Sequence, residues 1–185
     1  MNYVKRRMSG IADEGAPTID EQLSLHREFG WDSIELRTVN GHNVCEMDDN
    51  EFAEVRDAVR AANFRVPAFG SAIANWSRAV DGDFERDRND LMRSIPRMRE
   101  LQTRYIRIMS YTAGNTDNET WATEAISRVA ELTRIAAGEG VVLVHENCDG
   151  WASQTPANLS RLLDKVNDAA LHIVFDPGNP LAHGG

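Results

Sequence analysis

The chain has 185 residues, 42% of them hydrophobic and 26% charged, which is enough apolar material for one sizeable core and excludes a disordered composition. Its net charge of −9 argues against gripping nucleic-acid phosphates, a task that needs a basic face. Two distant cysteines, Cys45 and Cys148, make neither a disulfide framework nor a structural zinc site and fit a reducing cytoplasm. The N-terminal MNYVKRRMSG has no apolar stretch behind its basic residues, and no window reaches the roughly 18 apolar residues of a membrane span.

In chain order, short apolar runs alternate with helix signals. A first strand is expected around Tyr3 to Ile11, weakened by Lys5, Arg6 and Arg7. Thr18 with Glu21 forms a capping box, opening a helix that Gly30 closes. Ser33 to Leu36 reads as a second strand. Asp48 with Glu51 then caps a helix running to about Ala62, with Phe52, Val55 and Val59 on one face. Arg65 to Phe69 is a third strand despite Pro67. A charged helix from about Phe84 to Leu101 contains Pro96, which predicts a kink or a break. Tyr105 to Met109 alternates as a fourth strand. The next helix, from about Glu119 to Ala137, places Ala122, Ile126 and Val129 on one stripe and ends at Gly138. Val141 to His145 is a continuous aliphatic run of the kind found in a strand covered on both faces. Thr155 and Pro156 open a fifth helix, and Leu171 to Phe175 is the sixth strand.

The expected fold is α/β: a single domain over residues 1–185 with about six parallel strands and about five helices, or three-quarters of an eightfold barrel. In such proteins binding and chemistry collect at the carboxyl ends of the strands. Those ends carry Ala12-Asp13-Glu14, Glu35-Leu36-Arg37, Gly70-Ser71 running on to Asn75-Trp76, Ser110-Tyr111, His145-Glu146-Asn147, and Asp176-Pro177-Gly178-Asn179. Glu146 and Asp176 finish adjacent strands, and parallel neighbours lie about 4.8 Å apart. Two carboxylates so placed repel unless a cation neutralises them, and oxygen ligation of that kind suits Mg²⁺ or Mn²⁺, with Co²⁺ or Zn²⁺ admitted if a histidine joins. The plainer reading pairs Glu146 with Arg107 and lets Asp176 cap its own loop.

His145-Glu146-Asn147 after an aliphatic strand, Phe175-Asp176-Pro177-Gly178-Asn179 after the next, and Ile34-Glu35-Leu36-Arg37 after Gly30-Trp31-Asp32 together resemble the sugar-phosphate isomerase/epimerase family. These are the xylose-isomerase-like TIM barrels, which also include ketose 3-epimerases, inosose dehydratases and endonuclease IV. The resemblance runs from about residue 8 onward. It implies a divalent metal held by a Glu, an Asp, a His and a Glu from the last four strands. Only the first two map here, onto Glu146 and Asp176, so the chain looks like about the N-terminal two-thirds of the barrel, lacking its last two βα units. A two-carboxylate half-site should bind metal weakly, and an open barrel exposes the edges of its outer strands. Ser71 and Ser110 stand where endonuclease IV relatives place zinc-binding histidines, which disfavours DNA repair. Asn179 stands where ketose 3-epimerases often carry a substrate-binding histidine, pointing away from free ketohexoses.

The resemblance further implies that Glu146 removes a substrate proton while the metal polarises the neighbouring carbonyl. Expected substrate-binding residues are Glu35, Arg37, His42, Trp76, Asn147, Trp151 and Asn179. Arg37 could hold a carboxylate, phosphate or sugar oxygen, or fill the barrel in an ion-pair network with Glu35. Trp76 and Trp151 are stacking platforms or packing, and His42 overhangs the site or is simply solvated. His145 should face the helices, Cys148 reads as packing, and His183 as a terminal residue. The expected function is a metal-dependent sugar isomerase or epimerase on a small carbohydrate, acting alone or completed by other copies or a partner chain that covers the open edges. The alternatives are an inactive truncated or degenerate barrel and a related dehydratase or lyase acting on a polyol.

Overall fold

The computed structural model of the chain describes residues 8–179. Each helix begins where a side chain satisfies the free N–H groups of its first turn. Helix α1 (Ile19–Glu28) opens on a reciprocal bond pair: the Glu21 carboxylate accepts the Thr18 N–H at 3.2 Å, and the Thr18 hydroxyl oxygen accepts the Glu21 N–H at 3.4 Å. Asp48 forms the same reciprocal pair for α2 (Asp49–Ala61), while Asp83 for α3 (Phe84–Glu100), Asp117 for α4 (Asn118–Glu139) and Thr155 for α5 (Pro156–Val166) each accept one first-turn N–H. Helix α4 runs past Gly138 and stops at Gly140, whose φ of 73° is the left-handed conformation that closes a helix. Helix α3 continues through Pro96 without the expected break. Leu91, Ile95 and Met98, all buried, hold both halves of it against the core.

Four strands form a parallel sheet in the order β3 (Ala68–Gly70), β4 (Tyr105–Ser110), β5 (Val142–Gly150) and β6 (Leu171–Val174). The expected second strand is reduced to two parallel bridges, Ser33 to Arg65 and Leu36 to Phe69. Pro67 lies between the bridged positions and has no N–H to give, which interrupts the ladder. Of the expected first strand, residues 3–7 lie outside the described region and Met8 to Ile11 are not in a strand. The Gly10 carbonyl nevertheless accepts the Glu35 N–H at 2.9 Å, so this segment lies beside Ser33 to Leu36. A two-residue hairpin not foreseen from the sequence, β1 (Thr38–Val39) and β2 (His42–Asn43), turns on Asn40 and Gly41, both at positive φ. It stands just beyond Leu36.

Alternation along the strands divides the sheet into two faces. Ile106, Ile108, Leu143 and Leu171 face the helices and are buried with Val129, Leu132 and Ala136 of α4 and Leu162 of α5. Arg107, Val144 and Glu146 face the other way, into the barrel. His145 belongs to the helical face: it is 1% exposed, and its Nε2 lies 3.1 Å from the Ser110 hydroxyl.

Burial pulls the His145 imidazole down from its ordinary 6.5 to about 4. The folded protein therefore keeps this ring neutral where the unfolded chain has protonated it, so its stability is complete above pH about 6.5 and falls towards pH about 4, by on the order of 3 kcal/mol over that window. Urea unfolding between about pH 7.5 and about pH 5 should show a steeper loss for the native protein than for His145→Gln. Equal slopes would show that the ring does not govern the effect.

Candidate active site

Strand β5 extends beyond His145 to Gly150, so the polar residues expected after its end lie within its second half. Arg107 of β4 pairs in register with Val144, which puts its side chain on the same face as Glu146 two residues on. Its Nη1 donates to Glu146 Oε2 at 3.0 Å, and its Nη2 donates to the Ser71 carbonyl at 2.9 Å. Ser71 returns a short bond from its hydroxyl to the Arg107 carbonyl. The amide of Asn179 donates to the second Glu146 oxygen at 3.2 Å. With side chains only 11% and 13% exposed, Arg107 and Glu146 form a largely desolvated ion pair at the barrel mouth.

Glu35 faces the same space and makes no hydrogen bond or ion pair through its carboxyl among the described residues. Burial pushes this carboxyl above its usual range; the charge of Arg107 pulls it down and that of Glu146 pushes it further up. Together with Arg107, Glu146 and Asp176, Glu35 lines an open cavity of about 820 Å³ that follows the inner face of the sheet. Asp176 sits at its far side, where one carboxylate oxygen accepts the Gly178 N–H at 2.7 Å. Asn147 is not turned to this space. Its side chain bridges the ends of β5 and β6, accepting the Asp176 N–H at 2.6 Å and donating to the Asp176 carbonyl at 2.9 Å.

The donors fit a hard divalent cation in kind, being carboxylate oxygens in a region of surplus negative charge. They fall short in number. Among the described residues no group of three His, Cys, Asp or Glu side chains comes together to hold a metal ion. Glu146 is neutralised by Arg107, and Asp176 binds its own loop, as the plainer reading of the sequence had it.

Arg37 does not pair with Glu35. Its guanidinium forks onto Asp13, with Nε to Oδ2 at 2.7 Å, and reaches Glu14 at 2.8 Å. Beside it lies a second cavity of about 420 Å³, with Asn43, Asn75, Trp76 and, at its inner end, Arg107. His42 is not brought there, because neighbouring residues of a strand point to opposite sides; it binds Glu51 at the head of α2 instead. Trp151 is 5% exposed in the turn Trp151–Ser153, with Arg161 stacked 5.6 Å from its ring, so it packs among the helices and forms no platform. Trp76 is 50% exposed. His183 lies outside the described residues.

Arg107 is the residue that sequence reasoning undervalued, treating it only as a possible partner for Glu146. Its signal was a lone charge at an inward position of an otherwise apolar strand, Tyr105-Ile106-Arg107-Ile108-Met109, where an unpaired guanidinium would be costly.

A profile of xylose isomerase-like TIM barrels matches residues 23–185. No curated protein sequence matches the chain. Among solved structures, the chain is similar to a xylose isomerase-like TIM barrel protein from Mycobacterium smegmatis in complex with magnesium, with 18% identity and a TM-score of 0.70 over 95% of this chain and 66% of that one. It is also similar to the apo form of 3-keto-D-glucoside 4-epimerase from E. coli, with 17% identity and a TM-score of 0.72 over 97% and 72%. An L-ribulose 3-epimerase matches at 13% identity and a TM-score of 0.72 over 97% and 63%. The chain thus spans about two thirds of the length of these structures.

Proposed function

Because the chain belongs to the xylose isomerase-like TIM-barrel family, we propose that it is a sugar isomerase or epimerase that moves a proton on the carbon beside a carbonyl. The observation that carries this reading is the Glu146 carboxylate, oriented by Arg107 and Asn179 on β5 level with the end of β6, in a cavity large enough for a sugar. Two of the similar structures being sugar epimerases supports it. Glu146 takes the proton from carbon, leaving the electron pair to delocalise onto the carbonyl oxygen. Arg107 meets the resulting negative charge, and return of the proton from Glu146 to the neighbouring carbon completes an isomerisation. Epimerisation needs a second acid on the opposite face of the sugar, for which the half-buried Glu35 is the candidate in the cavity.

We further propose that a divalent ion, Mg²⁺ or Mn²⁺, takes part, held by Glu146 and Asp176 with donors that the described residues do not supply. Its chemistry when bound is polarisation of the substrate carbonyl. Among the described residues no helix is long and apolar enough to cross a membrane, and the free thiols of Cys45 and Cys148 suit the reducing cytoplasm where we place the protein.

The test is solvent exchange. The protein is incubated in D₂O with ketopentoses, ketohexoses and keto-glycosides, with and without added Mn²⁺ or Mg²⁺, and deuterium on substrate carbon is followed by NMR. Exchange that depends on the metal is expected. Absence of exchange from every sugar in the presence of metal would overturn the reading.

A further inference from the structure

The two cavities at the mouth meet at Arg107, which lines both. The inner one, of about 820 Å³, holds Glu146, while the outer one, of about 420 Å³, holds Arg37, Asn75 and Trp76 and none of the residues assigned to proton transfer except Arg107 at the junction. Each volume falls in the range of about 300–1,000 Å³ typical of small-molecule sites. A free monosaccharide in contact with Glu146 leaves the outer cavity to water.

The outer cavity has the composition of a site for hydroxyl groups. Asn75 uses its side-chain oxygen to accept the Ser77 N–H and hydroxyl at 2.9 and 2.7 Å, and its amide nitrogen has no partner among the described residues. Asp13 and Glu14 supply acceptors, and the half-exposed Trp76 ring at the rim supplies an apolar face of the kind that stacks on the C–H face of a sugar. The cavity is a poor host for an anion. Arg37 is already neutralised by two carboxylates and Arg107 by a third, so a phosphate or carboxylate entering it would face Asp13 and Glu14 with no cation to spare.

The platform is also held in place. Arg78, 5% exposed, is bonded at once to Asp87 and Asp90 of α3, and the Asp87 carboxylate accepts the Ala74 N–H at 2.9 Å, fixing the backbone on both sides of Trp76. Ala74 sits at a φ of 56°, a conformation that such anchoring can maintain. A ring displayed on a fixed backbone loses little freedom when a ligand stacks on it.

We propose that the outer cavity binds a second, uncharged sugar unit, so that the substrate is a glycoside or disaccharide rather than a free or phosphorylated monosaccharide. This rests on the proposed function only for which ring reacts.

Calorimetric titration of the full chain with D-fructose, D-fructose 6-phosphate, lactulose and isomaltulose tests it, the last two being uncharged disaccharides that carry a ketose. At least one disaccharide should bind about tenfold or more tighter than fructose, and the phosphate no tighter than fructose. Trp76→Ala should erase the disaccharide advantage, and Trp76→Tyr should keep most of it, which separates loss of the platform from damage to the fold. Fructose binding as tightly as the better disaccharide, fructose 6-phosphate binding tightest, an advantage that survives Trp76→Ala, or no binding of either disaccharide would each overturn the proposal. Failed solvent exchange alongside Trp76-dependent binding would remove the proposed reaction and leave the outer subsite standing.

Discussion

Glu146→Gln is expected to lower the rate of deuterium exchange into substrate by about 10³-fold or more, because removal of a positioned base typically costs about 10²–10⁴ and nothing else within bonding distance replaces it. Arg107 and Asn179, its two side-chain partners, are donors only towards it. The substitution keeps shape and one acceptor oxygen, so Arg107 retains a hydrogen bond and loses the opposite charge beside it. The accompanying loss of stability should be about 1–2 kcal/mol, well short of unfolding. Measured side by side, exchange and urea unfolding separate a missing base from a broken fold. Native exchange in the variant would move the chemistry elsewhere in the cavity, with Glu35 as the next carboxyl to test.

Gly150→Ala should be the most destabilising single change near the site, at about 2–6 kcal/mol. Gly150 has φ 109° and ψ 168°, a region reserved almost wholly for glycine, which alone costs another residue about 1–3 kcal/mol. An added Cβ would lie 2.6 Å from the Ser110 hydroxyl oxygen and 2.9 Å from Ser110 backbone atoms, and overpacking adds about 1–3 kcal/mol. The two strands touch here because their register shifts between Ile108 and Ser110, letting Ser110 pair with Gly150. Removing the hydroxyl with Ser110→Ala should not rescue the variant, since the backbone clash remains. A shift in denaturation midpoint equivalent to less than about 0.5 kcal/mol would show that this junction is looser than its geometry.

How legible each part was in the sequence follows from the range of the interactions that set it. The caps at Thr18, Asp48 and Thr155 are local, three-residue arrangements, and each opens its helix where expected. Alternation placed Glu146 in the barrel and His145 among the helices, because side chains of a strand must take opposite faces. The Asn40-Gly41 dipeptide favours the two successive positive φ angles of a tight turn, so the hairpin was legible there; of the two readings of His42, the exposed one holds and the one that overhangs the site does not. Arg37 was not legible. Its partners, Asp13 and Glu14, lie more than twenty positions away in sequence, and only the barrel brings that segment beside it. Trp151 was ambiguous for a similar reason, since whether a residue after a strand turns towards the mouth or the helices depends on the short turn that follows Gly150.

Barrel enzymes commonly diversify by exchanging the loops above their strands, which tolerate replacement because they are seldom part of the scaffold. The segment carrying Trp76 does not have that independence. Arg78 ties it through Asp87 and Asp90 to the buried face of α3, so a grafted loop lacking this arginine would leave two buried carboxylates without the guanidinium they share. Laboratory evolution of new specificity in this chain should therefore proceed by single replacements at Trp76 and Asn75, whose side chains face the cavity, while transplanted segments fail at the level of expression.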